Sequence, residues 1–216
     1  MKLRQGYKLI VMGDSITDCD RARPVGEGLY HGLGNGYVNL LQSLIRCEYP
    51  SFIIQLLNMG IGGNTIRDLA ARWQQDVLDH QPDGVIIAIG INDVWRKYDN
   101  PMNQALAVLE EEYERTMNEL IDSSQALGAD VMLLTPFFIE PNKEEPMRAD
   151  MDRYGAIVQA VGRERDLPVV DLQETMDRFL AYTHPTTLAF DRVHPNQTGH
   201  MAIAKAVLEM IKQQNV

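Results

Sequence analysis

Leu9-Ile10-Val11-Met12 is a continuous apolar run that ends in Gly13-Asp14-Ser15-Ile16-Thr17. Such a run, bounded by turn residues, is typical of a strand buried on both faces of a parallel sheet. The pattern recurs along the chain. The predicted strands are Lys8 to Met12, Phe52 to Asn58, Gly84 to Ile89, Asp130 to Thr135 and Pro168 to Asp171.

Apolar residues at helical spacing fill the segments between these strands. The predicted helices are Arg67 to His80 with Leu69, Trp73 and Val77, Gln104 to Leu127 with Leu106, Leu109, Tyr113, Met117, Leu120 and Ile121, and Thr198 to Gln213 with Ile203, Val207, Met210 and Ile211. Alternating strands and helices predict an α/β protein with three layers, α/β/α, around a five-stranded, mostly parallel sheet. No repeat or linker interrupts the pattern, so we expect one domain over residues 1–216.

The composition excludes several classes of partner. With 216 residues and a net charge of −10, the chain lacks the basic surface that nucleic acids or anionic membranes attract. Met1 to Tyr7 contain no apolar segment of signal-peptide length, and no apolar run approaches the ~20 residues of a membrane span. We therefore expect a cytoplasmic protein. Two distant cysteines, Cys19 and Cys47, form neither a disulfide framework nor a zinc motif, and we expect both to be reduced.

Three predicted strands end in segments that are polar or rich in glycine. Ser15 follows the first strand, Gly62-Gly63-Asn64-Thr65 lies beyond the second, and Gly90-Ile91-Asn92-Asp93 follows the third. Ligands of open parallel sheets bind at the carboxyl ends of the strands, which makes these segments candidates for a site. A serine at such a position is either a turn residue that caps the next amides or a nucleophile.

A nucleophilic serine needs a base, usually an imidazole held by a carboxylate. Of the five histidines, His194 lies in Asp191-Arg192-Val193-His194-Pro195, where the carboxylate of Asp191 can reach back to the ring across one turn. The segment also fits a plain loop with a helix cap. Its place after the last strand brings it beside the end of the first strand.

The anion that forms on an ester carbonyl needs hydrogen-bond donors. The Gly62-Gly63 pair offers an exposed amide, Ser15 offers its own amide, and Asn92 offers its side chain. The alternatives are a tight turn at the glycines and an Asx-turn at Asn92. A site is favoured because the three donors follow successive strands.

Four short blocks carry a family resemblance, in chain order Gly13-Asp14-Ser15, Gly63-Asn64-Thr65, Gly90-x-Asn92-Asp93 and Asp191-x-x-His194. Together they resemble the blocks of the SGNH, or GDSL, hydrolases, which have a flavodoxin-like fold. By that resemblance Ser15 is the nucleophile, His194 the general base and then acid, and Asp191 the orienting acid. Gly63 and Asn92 then bind the oxyanion with the Ser15 amide.

Longer stretches are similar to bacterial intracellular acetyl xylan esterases, among them Arg21-Ala22-Arg23-Pro24, Gly90-Ile91-Asn92-Asp93-Val94-Trp95-Arg96 and Thr135-Pro136-Phe137. The resemblance implies a homo-oligomeric esterase, without metal or organic cofactor, that removes acetyl groups from short xylose oligosaccharides. Asp14, Trp95 and Phe190 are the expected substrate-binding residues. The chain departs from this subgroup at Phe190, where we expect a larger indole, and at His184, where we expect a tyrosine.

Other readings of the sequence remain open. The Gly-x-Ser-x-Gly elbow, a phosphate-binding loop and His-Glu-x-x-His are absent, which disfavours the classes they mark. A lysophospholipase or acyl-thioesterase would use the same machinery, and a sugar-binding domain would use the same scaffold. The aromatic residues near the motifs, Tyr30, Trp95, Tyr98, Tyr182 and Phe190, favour a sugar over a lipid, although ordinary packing also explains them.

Overall fold

Five strands form one parallel sheet in the order β2-β1-β3-β4-β5. Their bounds are β1 Lys8–Gly13, β2 Gln55–Gly60, β3 Gly84–Ala88, β4 Asp130–Leu134 and β5 Val169–Val170. The structure, a computed structural model, describes residues 1–29 and 31–214. The five predicted strands are all present, and the predicted α/β class is confirmed.

The register of the sheet sets where the functional segments meet. Gly13 at the end of β1 pairs with Gly60 at the end of β2 and with Ala88 at the end of β3. The segments that follow these three strands therefore emerge side by side at one edge of the sheet, as the strand ends predict.

Eight α-helices connect and cover the strands in the described part of the chain. Their bounds are α1 Ser15–Asp18, α2 Tyr37–Glu48, α3 Ile66–Asp76, α4 Ile91–Trp95, α5 Glu110–Ala126, α6 Pro146–Glu164, α7 Leu172–Leu180 and α8 Gln197–Gln214. Short 3₁₀ segments occur at Leu78–His80, Pro101–Leu106 and Pro185–Thr187. Among residues 1–29 and 31–214, none of these helices is long and apolar enough to cross a membrane.

The helices form a layer on each face of the sheet. The crossover connections between parallel strands are right-handed. Because β2 lies on one side of β1 whereas β3, β4 and β5 follow on the other side, α2 packs on one face of the sheet and α3, α5 and α6 pack on the opposite face. The contacts agree, because α2 and α7 pack on α8 whereas α5 packs on α3 and α6. The core lies between the layers, and the strand residues from Leu9 to Met12 are fully buried.

One predicted helix, Gln104 to Leu127, begins too early. The chain forms a 3₁₀ segment over Pro101–Leu106, and α5 starts at Glu110. Leu106 and Leu109 are 56% and 67% exposed, so their assignment to the buried stripe is wrong. Leu109 has an extended backbone at the N-cap, and three glutamates in the first turn favour a helix start there.

The helices α2, α6 and α7 were not predicted from the sequence. The longest, α6, contains Gly155 and Gly162, which weaken a helical pattern. Packing explains Gly162, because a Cβ at this position would lie 2.1 Å from Cγ2 of Val169 in β5. The glycine lets α6 approach the sheet, and that need is invisible in the local sequence.

Candidate active site

Ser15 is the first residue of α1, directly after β1. Asp14 caps this helix, and its carboxylate accepts a hydrogen bond from the Ile16 amide at 3.0 Å. Asp14 is only 3% exposed, and this burial raises its pKa to about 7 despite the hydrogen bond from Ile16. Asp14 is predicted to bind substrate, but its side chain exposes little surface to a ligand. The side chain instead shapes the turn that presents Ser15.

The structure brings Ser15, His194 and Asp191 together across 179 residues of chain. Oγ of Ser15 lies 2.8 Å from Nε2 of His194, and Nδ1 of His194 lies 2.6 Å from Oδ2 of Asp191. A carboxylate only accepts hydrogen bonds, so Nδ1 carries a proton and the Nε2 of a neutral ring is free to accept from the serine hydroxyl. This arrangement can deprotonate Ser15 when it attacks a carbonyl carbon.

Asp191 is fixed by its second oxygen. Oδ1 accepts the backbone amides of Val193 at 3.0 Å and His194 at 2.8 Å. Burial raises the pKa of Asp191, but the hydrogen bonds from the His194 ring, the His194 amide and the Val193 amide outweigh it and hold the pKa below its usual range. Asp191 is therefore ionised at neutral pH and can stabilise a protonated His194 ring.

Arg192 anchors this loop, although no role for it was predicted from the sequence. Its backbone is left-handed, with φ +64°, and its carbonyl accepts the Ile139 amide at 2.9 Å. Its guanidinium donates to Oε2 of Glu140 at 2.6 Å and lies 4.9 Å from the centre of the Phe138 ring. The Asp-x-x-His pattern accounts for Asp191 and His194 without giving Arg192 a role. Only the tertiary contacts show what holds Arg192 in place.

The turn from Ile61 to Asn64 lies beside Ser15. A Cβ on Gly62 would be 3.8 Å from Cβ of Ser15. Gly63 has φ +82°, a left-handed conformation that favours glycine. In the described part of the chain, the Gly63 amide has no acceptor. It is thus available to a bound anion, as is the Ser15 amide, which belongs to the first turn of α1.

Asn92 completes this group of donors from α4. Its side chain is buried, and Nδ2 donates to the Asn64 carbonyl at 3.0 Å. A primary amide has two N–H bonds, so one remains for a ligand. Asn92 therefore ties the end of β3 to the turn that follows β2 and can also bind an anion.

The aromatic candidates do not all lie at this site. The Trp95 ring packs edge to face with His194, 6.0 Å between centroids, and the Arg96 guanidinium lies 5.9 Å from the Trp95 centroid. Phe190 is 93% exposed and precedes Asp191. Tyr98 donates to the Pro146 carbonyl, and Tyr182 lines a groove between α7 and α8. Tyr30 lies outside the described residues.

Neither cysteine is in a disulfide. Cys19 is half-buried, with Sγ 3.4 Å from Nε2 of His200, and Cys47 is exposed. Within residues 1–29 and 31–214 there is no group of three or more His, Cys, Asp or Glu side chains arranged to hold a metal ion.

Comparison with known proteins identifies both a family and a similar enzyme. The model of the GDSL-like Lipase/Acylhydrolase family matches residues 11–202. The chain is 47% identical over 211 residues to an acetylxylan esterase of Geobacillus stearothermophilus, covering 98% of this chain and 96% of that protein.

Solved structures also resemble this chain over almost its full length. Axe2, an acetylxylan esterase from Geobacillus stearothermophilus, superposes with a TM-score of 0.94 at 47% identity over 98% of this chain and 96% of its own. Its S15A, H194A and D191A variants are described as catalytic mutants. LAE5, an alpha/beta hydrolase from the metagenome of Lake Arreo, Spain, superposes with a TM-score of 0.93 at 46% identity over 99% of both chains.

Proposed function

Because the chain belongs to the GDSL-like lipase/acylhydrolase family and is a carboxylic-ester hydrolase, we propose that it removes acetyl groups from acetylated xylo-oligosaccharides through an acyl-serine intermediate. The observation that carries the proposal is the hydrogen-bonded series from Ser15 through His194 to Asp191, with distances of 2.8 Å and 2.6 Å. The catalytic mutants of Axe2 support it by similarity.

The first half of the reaction transfers the acetyl group to the enzyme. Oγ of Ser15 attacks the acetyl carbon while Nε2 of His194 takes the hydroxyl proton. The tetrahedral oxyanion is bound by the amides of Ser15 and Gly63 and by Nδ2 of Asn92. The protonated His194 then gives its proton to the sugar oxygen, the carbon–oxygen bond to the sugar breaks, and acetyl-Ser15 remains.

The second half releases acetate. A water molecule loses a proton to Nε2 of His194 and attacks the acetyl carbon. The same donors bind the second oxyanion. The bond from the acetyl carbon to Oγ of Ser15 breaks, and His194 returns the proton to Oγ. Asp191 stays ionised throughout and stabilises the imidazolium in both halves.

We propose that Trp95 and Phe190 contact the sugar and that Asp14 supports the substrate site without contacting the sugar. Trp95 lies against His194, where a sugar ring can stack on an aromatic face, and Phe190 leaves its ring open to solvent beside Asp191. Asp14 contributes by holding the turn at Ser15 rather than through exposed surface. Phe190 offers a smaller face than an indole, so we expect weaker binding of the sugar at that position.

The test is acetate release from acetylated xylo-oligosaccharides by the wild-type protein and by S15A. We expect release by the wild type alone. If only an activated acetyl ester is hydrolysed, the mechanism stands and the sugar substrate is wrong. A series of p-nitrophenyl esters separates the lipid alternative, since we expect the rate to fall beyond two to four carbons, whereas a lipase would gain rate with chain length.

We also propose that the protein is a cytoplasmic homo-oligomer without a nucleic-acid or membrane partner. Exposed apolar side chains away from the sheet, including Leu29, Met102 and Tyr182, support an interface between subunits. Two free cysteines support a reducing compartment. Light scattering coupled to gel filtration tests the oligomeric state, and a monomer would contradict the proposal. Cell fractionation tests the location, and a periplasmic protein would contradict it.

A further inference from the structure

Asp18 connects the helix of Ser15 to the turn of Gly63. It is the last residue of α1, three residues after Ser15, and its side chain is 12% exposed. Oδ2 accepts the Gly62 amide at 3.2 Å and a guanidinium N–H of Arg23 at 2.6 Å. One carboxylate oxygen on the nucleophile helix thus holds the amide next to the one that is free to bind an oxyanion.

The other hydrogen bonds of the turn come from elsewhere. The Gly60 carbonyl accepts Nε of Arg21 at 2.9 Å, and the Ile61 amide donates to the Gly13 carbonyl at 3.1 Å. The Asn64 carbonyl accepts from Asn92. Among the side chains that the structure describes, Asp18 is the one on α1 that binds the turn between Gly60 and Gly63. It therefore connects α1, whose first residue is Ser15, to Gly62, the residue before Gly63.

The burial of Asp18 indicates that its hydrogen bond to the Gly62 amide is more important than its ion pair with Arg23. Oδ1 is buried without a hydrogen-bond partner in the described part of the chain, which is costly for a carboxylate oxygen. Arg23 is half exposed, and ion pairs with an exposed partner contribute little stability. The bond to Gly62 has the more direct consequence, because it fixes the backbone beside Gly63.

We propose that Asp18 is a positioning residue that sets the Gly63 amide at the correct distance from Ser15 for the oxyanion. The proposal rests on the proposed function, in which both amides bind that anion. A loss of this hydrogen bond lets the turn shift relative to α1, and a shift of about 1 Å near the reacting atoms costs about 10²-fold in rate.

The experiment compares D18A, D18N and R23A with the wild type on p-nitrophenyl acetate. We expect D18A to lose about 10- to 100-fold in kcat with KM within about threefold, because the oxyanion exists only in the transition state. D18N keeps an acceptor for the Gly62 amide and should recover most of kcat. R23A removes the ion pair and the Arg23 hydrogen bond to the Arg21 carbonyl but leaves the bond to Gly62, so its kcat should stay near the wild-type value.

Several results would overturn the proposal. They are wild-type kcat in D18A, an equal loss in D18N and D18A, or an equal loss in R23A and D18A. If D18A does not fold by circular dichroism, D18S replaces it with the same expectation, since its hydroxyl is too short to reach Gly62. The proposed function fails separately, when S15A hydrolyses the ester as fast as the wild type.

Discussion

The two halves of the candidate active site are built differently. Ser15, Gly63 and Asn92 follow three adjacent parallel strands. Their segments are tied together by hydrogen bonds that the Arg21 and Asn92 side chains donate and by hydrogen bonds that the Asp18 carboxylate and the Gly13 carbonyl accept. Asp191 and His194 lie on a loop without regular structure, and their side chains are 40% and 44% exposed.

The carboxylates of the two halves also differ. Asp14 is buried under the nucleophile, with its pKa raised to about 7, whereas hydrogen bonds hold the pKa of Asp191 below its usual range. Near pH 7 the buried carboxyl group of Asp14 is about half protonated, whereas that of Asp191 is charged. The comparison indicates that the sheet fixes the proposed oxyanion donors, whereas a few polar contacts fix the proposed base.

Among the variants that distinguish the two halves of the site, D191N is expected to have the largest effect on kcat. The amide oxygen still accepts from the Val193 and His194 amides, so the loop keeps its shape, but the charge that stabilises the imidazolium is lost. We expect kcat to fall about 10⁴-fold, as in other serine triads. Kinetics on p-nitrophenyl acetate measure it, and a loss under tenfold would contradict the role of Asp191.

The oxyanion side is tested by N92A. We expect kcat to fall about 10²- to 10³-fold with little change in KM, since Nδ2 binds charge that develops only in the transition state. A change confined to KM would make Asn92 a substrate-binding residue instead. Thermal unfolding serves as the control, because the lost bond to the Asn64 carbonyl also lowers stability, by about 1 kcal/mol.

The attachment of the loop is tested by R192A. Loss of the Glu140 ion pair should loosen the segment that carries Asp191 and His194, and we expect kcat to fall about tenfold. R178A is the matched control, because Arg178 forms an exposed ion pair with Glu174 on α7. Equal activities of R192A, R178A and the wild type would show that the backbone bonds alone hold the loop.

The smallest effect concerns pH and the buried carboxylate. Asp14 has a folded pKa of about 7 and a reference value of 3.8, so between these values the folded state binds more protons than the unfolded state. Its contribution therefore makes stability fall as pH rises from about 4 through 7. Urea titrations of D14N and wild type should show the variant gaining about 1 kcal/mol of relative stability from pH 5 to pH 6, because each pH unit between the two pKa values contributes about 1.4 kcal/mol.

This measurement has a clear contrary result. The D14N side chain would keep the acceptor for the Ile16 amide and lose only the ionisation. A constant difference in stability between D14N and the wild type across this pH range would show that Asp14 does not titrate there. The depressed pKa of Asp191 acts in the opposite direction, with stability lost only as pH falls below the usual carboxyl range.

Much of the fold was predictable because its signals are local. The apolar runs at Leu9 to Met12 and Gly84 to Ile89 gave β1 and β3 to within one residue. The start of α5 was missed because Leu106 and Leu109 continue the apolar spacing into a segment that stays exposed. The glycines of α6 hid that helix, since the reason for Gly162 is the close approach of Val169.

The residues of the candidate site were also predictable, but their supports were not. Ser15, Gly63, Asn92, Asp191 and His194 stand out because each follows a strand or lies in a recognisable block. Asp18, Glu140 and Arg192 carry no comparable signal, since an acidic or basic residue in a polar loop is ordinarily solvated. Asp18 binds Gly62 from 44 residues away in the chain, and Arg192 binds Glu140 from 52 residues away.

The sequence alone determined a mostly parallel sheet, the succession of strands and helices along the chain, and the types of residue at the strand ends, because periodicity and residue chemistry are local properties. The tertiary structure decided the 2.8 Å contact of Ser15 with His194, the attachment of the acid–base loop and the bond from Asp18 to the turn. These depend on the packing of distant segments, and distances between such segments are set only when the chain folds.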